Sequence, residues 1–134
     1  MAETFELEIV TPEKLVVKAV AEEAQIPGKN GYLGILPGHA PLITELAVGQ
    51  ITYTMSGTTR HICVAWGFAE VLPTKVTILA ETAERPEEID VARAQRAKER
   101  AERELTSGAI DLNYADIQAA IARADSRLGV ANLE

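Results

Sequence analysis

The feature that most constrains this chain is a change of side-chain branching near residue 86. Residues 1–85 contain 25 Val, Ile or Thr; residues 86–134 contain 7. β-Branched side chains suit a pleated, half-buried surface, so the first stretch reads as strands. Seven of the nine glycines also precede residue 86, at loop-like spacing. Alanine behaves oppositely, with 11 in the last 49 residues, and it is the best helix former. The segment Glu84-Arg85-Pro86-Glu87-Glu88 reads as a linker and helix start, because proline and acids suit a first helical turn. Two domains are expected, 1–85 in strands and 86–134 in helices.

Within the first domain, Phe5, Leu7 and Ile9 alternate with Glu6 and Glu8, a half-buried strand. Leu15 to Ala21 returns after a turn at Thr11–Lys14. Gln50–Met55 and Arg60–Val64 flank Ser56-Gly57-Thr58-Thr59, a hairpin signal, and Phe68–Leu72 and Lys75–Ala80 flank Pro73-Thr74. Many short strands with no helix between them predict an antiparallel β-sandwich or barrel rather than a doubly wound sheet.

The second domain predicts two helices. Glu88 to Leu105 has neither Gly nor Pro, and from Ala92 to Glu104 its only apolar residue type is alanine. Gly108 is a candidate left-handed cap. Asn113, with Asp111 as competitor, is a candidate N-cap for a second helix whose stripe is Ile117, Ile121, Ala124 and Leu128, ending at Gly129. A short connection makes the pair an antiparallel hairpin. Its alanine-rich contact buries little area, so the hairpin should be able to leave the sandwich without unfolding it.

Composition excludes several functions. The net charge of −7 and six aromatic residues disfavour a nucleic-acid or anionic-membrane binder. Cys63 is the only cysteine, so no internal disulfide or zinc cluster is expected. The acidic N-terminus and the lack of an apolar run near ~20 residues predict an intracellular protein that meets a membrane only through a partner. His39 and His61 lie in different segments without acidic neighbours, Cys63 reads as a buried small hydrophobe, and no nucleophile elbow or metal spacing is present. No catalytic residue is expected. The glycines 28, 31, 34 and 38 match neither a Walker loop nor a dinucleotide fingerprint. They read as turns between short strands, or as a stiff docking surface.

One constellation stands out. Asp90 and Arg93 share a face of the first helix, and Arg123 and Arg127 share a face of the second. A closed hairpin could converge these guanidiniums for phosphate recognition beside a carboxylate. The competing reading is an ordinary solvated helix surface.

The run Gly31-Tyr32-Leu33-Gly34-Ile35-Leu36-Pro37-Gly38-His39-Ala40-Pro41-Leu42 is similar to a signature of the epsilon subunit of bacterial and chloroplast F-type ATP synthases. Gly67-Phe68-Ala69-Glu70-Val71, Val76-Thr77-Ile78-Leu79-Ala80, and Ala83-Glu84-Arg85 leading into Ile89-Asp90-Val91-Ala92-Arg93-Ala94 extend the resemblance from about Phe5 to Leu128. Trp66-Gly67 departs from it, since the family usually has two glycines there.

The resemblance implies a β-sandwich followed by a helical hairpin in a non-catalytic central-stalk subunit. It implies gamma and c-ring partners, with beta and alpha met when the hairpin extends. Rotor-facing positions would be Gly31, Leu33, Gly34, Pro37, Gly38, His39, Ala40 and Pro41. The hairpin would regulate ATP hydrolysis. No cofactor is required, but Glu84, Ile89, Asp90, Arg93, Ala94, Arg123 and Arg127 match a regulatory ATP motif. The location implied is the cytoplasmic face of a bacterial plasma membrane, peripheral, or a thylakoid membrane. The rival reading is a standalone small-molecule-binding sandwich.

Overall fold

A computed structural model describes residues 3–109 and 111–133. The outermost residues of the two expected domains, Met1 and Glu134, fall outside the described residues. Eight strands come first: β1 (Phe5–Val10), β2 (Leu15–Ala21), β3 (Glu23–Gly28), β4 (Gly31–Ile35), β5 (Leu42–Leu46), β6 (Gly49–Met55), β7 (Thr58–Val71) and β8 (Lys75–Glu84). A 3-10 turn at Pro86–Glu88 leads to α1 (Val91–Leu105) and α2 (Tyr114–Ala131).

The alternation Phe5, Leu7, Ile9 does what period two requires: all three side chains are buried. They meet Ala21, Ala19 and Val17 of β2, and Leu7 and Ile9 meet Val76 and Ile78 of β8. The β1–β8 pairing is parallel, whereas the other strand pairs are antiparallel. Strands from opposite ends of the domain meet there, so no hairpin sets their direction.

β7 joins the two layers of the sandwich. It pairs with β8 along most of its length, while its other edge takes β6 up to Val64 and β5 from Gly67. The sequence suggests two strands, Arg60–Val64 and Phe68–Leu72; the structure has one, bent at Trp66-Gly67. Both residues there have positive φ, +51° and +126°. At Gly67 an added Cβ would lie 1.9 Å from the Leu79 carbonyl oxygen, so no side chain fits. Trp66 lacks that excuse, and its left-handed backbone costs about 1–2 kcal/mol.

The sandwich interior is one apolar cluster drawn from β1 through β8, including fully buried Ile26, Ile51, Ile62 and Ile78. Each such side chain stabilises by about 1.5–3 kcal/mol. The hairpin rests on a much smaller cluster of Cys63, Ile89 and Val130, with Ala131 beside it. Between the helices, Ala94, Ala101, Ile117 and Ala124 are buried.

Two helix boundaries differ from expectation. α1 starts at Val91, not Glu88, because Asp90 caps it: its Oδ1 accepts from the Arg93 backbone N–H at 3.0 Å. Ile89 before it is extended, which turns its side chain into the small cluster. α2 passes through Gly129 to Ala131, because burial of Val130 offsets glycine's poor helix propensity. Asn113 caps α2 through Oδ1 and the Asp116 N–H at 3.2 Å. Gly108 has φ +76°, in the left-handed region where glycine fits best. Among the described residues no helix is long and apolar enough to cross a membrane.

Candidate functional site

The cleft that gathers the helix constellation lies between α1, α2 and the end of β8. Its volume is 300 Å³, and its walls include Glu84, Glu88, Asp90, Arg93, Ala94, Arg123 and Arg127. That is the lower end of the range for small-molecule pockets. Ala97, Ala120 and Ala124 complete the lining. Their methyl side chains let the helices approach while leaving room between the longer residues.

Six of the seven residues named from sequence therefore come together. Ile89 does not: it is 8% exposed and packs against Cys63 and Val130. Its neighbour Asp90 supplies the cap, so one residue anchors the hairpin while the next starts the helix at the cleft.

The charges are arranged unequally. Glu84 is committed to Arg127, Oε1 accepting from Nε at 2.6 Å. Glu88 accepts from the Arg85 backbone N–H and from Lys14 Nζ, both at 3.0 Å. These bonds, the backbone one foremost, hold its carboxyl below the usual carboxylate range. Asp90 spends Oδ1 on the helix cap. Among the described residues, Arg93 and Arg123 make no ion pair. The cleft thus offers two uncommitted guanidiniums, a donor set suited to a phosphate or carboxylate. Arg123 also stacks on Trp66, its guanidinium carbon 5.0 Å from the ring centroid. Sequence reasoning missed Trp66, Glu88, Ala97, Ala120 and Ala124 as parts of this site. Helical spacing could have found the alanines, since Ala97 is four residues from Arg93 and Ala120 three from Arg123; nothing local links Trp66 to a residue on another domain.

α2 is fastened beneath the cleft. Ser126 Oγ donates to the Gly49 carbonyl at 3.0 Å and lies 3.3 Å from Cys63 Sγ. Burial pushes the Cys63 thiol up, which opposes nucleophilic reactivity. Lys98 and Asp125 brace α1 against α2 at 2.8 Å.

The positions with an implied rotor role lie elsewhere, along β4 and the loop to β5. β4 is an edge strand, paired only with β3. Gly31, Gly34, Gly38, Ala40 and Pro41 are exposed, and Leu33, Pro37 and His39 are half-buried. The loop is tied to the β7–β8 turn by a bond from the Gly38 N–H to the Pro73 carbonyl at 2.8 Å. His39 is turned back on its own backbone, Nδ1 2.7 Å from the Ala40 carbonyl. His61 stands on β7, opposite Thr52 of β6. Among the described residues no group of three or more His, Cys, Asp or Glu is placed to hold a metal ion.

Comparison with known proteins matches both parts of the chain. The profile described as "ATP synthase, Delta/Epsilon chain, beta-sandwich domain" matches residues 4–86, and that described as "ATP synthase, Delta/Epsilon chain, long alpha-helix domain" matches residues 87–132. An ATP synthase epsilon chain of Koribacter versatilis is 77% identical over 109 residues, covering 81% of this chain and 77% of the relative. One of Solibacter usitatus is 48% identical over 132 residues, 98% of each chain. Among solved structures, a chain of the Euglena gracilis mitochondrial ATP synthase OSCP/F1/c-ring assembly shares the fold with a TM-score of 0.77 at 24% identity, covering 98% of this chain and 82% of that one. A chain of the Tetrahymena thermophila mitochondrial ATP synthase central stalk and c-ring aligns with a TM-score of 0.58 at 13% identity, covering 97% and 95%. Matched through its sandwich and its hairpin alike, the chain belongs to the epsilon-chain family of the F-type ATP synthase.

Proposed function

We propose that the chain is a non-catalytic central-stalk subunit whose sandwich docks on gamma and the c-ring and whose hairpin senses ATP and regulates ATP hydrolysis. The two uncommitted guanidiniums, Arg93 and Arg123, facing one cleft are the observation that carries the ATP reading. Arg93 and Arg123 take the phosphates, Arg127 is held ready by Glu84, and the small alanine walls admit the remainder of the nucleotide. Every polar group here binds charge; none is a positioned base beside a nucleophile, so the cleft serves binding and not hydrolysis.

The regulatory reading is supported by the contrast between the large sandwich core and the small Cys63, Ile89 and Val130 cluster. A helix pair held by so little apolar area can exchange between a docked and an extended position. ATP, by bridging α1 and α2, favours the docked one. Extended, the helices carry Arg93, Arg96, Lys98, Arg100, Arg103, Arg123 and Arg127 toward acidic segments of alpha and beta. The docking reading is supported by the exposed edge strand β4 with its stiff loop, and by the Euglena and Tetrahymena assemblies in which chains of this fold occur with a c-ring. The membrane is met through the complex, at the cytoplasmic face of a bacterial plasma membrane or in a thylakoid.

The rival, a standalone small-molecule-binding sandwich, is disfavoured by an interior that holds no buried polar side chain among the described residues. Calorimetry of the full chain tests the ATP reading. Heat that saturates by millimolar ATP, and that weakens at least tenfold in Arg93→Ala or Arg123→Ala, is expected. No heat, or binding indifferent to both substitutions, overturns it. Deleting residues 87–134 should raise ATP hydrolysis by the assembled enzyme, and recovery of gamma and c subunits on the tagged chain checks the docking.

A further inference from the structure

Trp66 is the only tryptophan of the chain and stands in β7 with φ +51°. Glycine adopts that backbone freely and a bulky side chain rarely does. A tryptophan persists there only where its surroundings hold it, so the position calls for a side-chain role. The structure supplies one: the Arg123 guanidinium lies over the indole, 5.0 Å from the ring centroid. Both side chains are half-buried. Arg123 makes no ion pair among the described residues, so the indole is what fixes its head group.

The contact lies in line with the other ties of α2. Ser126 Oγ reaches the Gly49 carbonyl, Arg127 reaches Glu84, and Val130 is buried against Cys63 and Ile89. Arg123, Ser126, Arg127 and Val130 follow at helical spacing along one face. Trp66 is therefore the fastening nearest the N-terminal half of α2, and like the Arg127–Glu84 tie it engages a wall of the cleft.

We propose that Trp66 is a positioning residue: by stacking on Arg123 it fastens α2 to β7 and aims the guanidinium at the mouth of the cleft. A cation on an indole face at a half-exposed site shifts an equilibrium by about two- to fivefold. The aiming half rests on the ATP reading above; the fastening half does not.

The test uses the full chain and amide hydrogen exchange in wild type, Trp66→Gly and Trp66→Phe. Trp66→Gly removes the backbone cost at residue 66, and unchanged exchange in β1 and β8 shows that the sandwich stays intact. Exchange of the amides of residues 123–131 should rise about two- to fivefold in Trp66→Gly, with β1 and β8 unchanged. Trp66→Phe, which keeps a ring face, should fall between the two. Exchange in Trp66→Gly equal to wild type overturns the proposal. ATP titration of the same three proteins then reads the aiming. Affinity should drop about two- to fivefold in Trp66→Gly and recover partly in Trp66→Phe; an unchanged affinity overturns that half. If wild type itself binds no ATP, the ATP reading fails and the aiming falls with it, while the exchange result still decides the fastening.

Discussion

Neighbouring residues in β7 meet opposite demands at one bend. Gly67 is there because the Leu79 carbonyl leaves no room for a Cβ, and Trp66 is there in spite of its backbone. Gly67→Ala should therefore destabilise the sandwich by about 3 kcal/mol or more, read as a lowered urea midpoint, since it adds a clash with rigid backbone to an unfavourable φ. A midpoint within error of wild type would show that β7 bends by another route. At this scale some chemistry was legible in advance. Arg123 and Arg127 could be placed on one face of α2 by counting four residues along a helix, whereas Asp90 stands before α1 as its N-cap instead of on its face. Ile89 could not: matched to a binding motif, it packs inward because it lies in extended backbone just before the Asp90 cap that starts α1.

At the scale of elements, the two helices are built differently. α1 is capped by Asp90 and buries only alanines; α2 is capped by Asn113 and carries Ile117, Ala124 and Val130 inward. Propensity predicts a stop at Gly129, and burial of Val130 overrides it. The same fact makes a prediction. An added Cβ at Gly129 meets nothing within 4 Å, so Gly129→Ala should stabilise α2 by about 1 kcal/mol through helix propensity alone. The gain should appear as slower amide exchange in residues 126–131, with no change in β1 or β8. Among the strands, hairpin partners were readable from turn residues, but the parallel β1–β8 pairing was not, because no local signal joins strands at opposite ends of a domain.

For the whole molecule, the division of stability matters most. In native-state exchange the α1 and α2 amides should open at lower free energy than those of β1 and β8, because one small cluster holds the hairpin and the large one holds the sandwich. Equal protection would remove the physical basis for a hairpin that moves. Acid should widen the gap. The Glu88 carboxyl titrates below its ordinary value in the folded chain, so its contribution is present above the ordinary value of 4.5 and is lost as pH falls below it. Losing the bonds to Arg85 and Lys14 loosens the turn that introduces the hairpin. The free energy of opening of the α1 amides, taken from protection factors, should fall over that range in wild type, and Glu88→Gln should flatten the dependence.

Sequence by itself determined the sandwich, the hairpin, the Asn113 cap of α2 and the common face of Arg123 and Arg127. Each follows from local rules: branching favours strands, alanine favours helices, and spacing of three or four sets a helical face. Only the tertiary structure decided that Ile89 anchors, that α2 runs past Gly129, that Glu84 is committed to Arg127, and that Trp66 lies under Arg123. These contacts join residues far apart in the chain, and their energy comes from burial and pairing that exist only once the hairpin has docked.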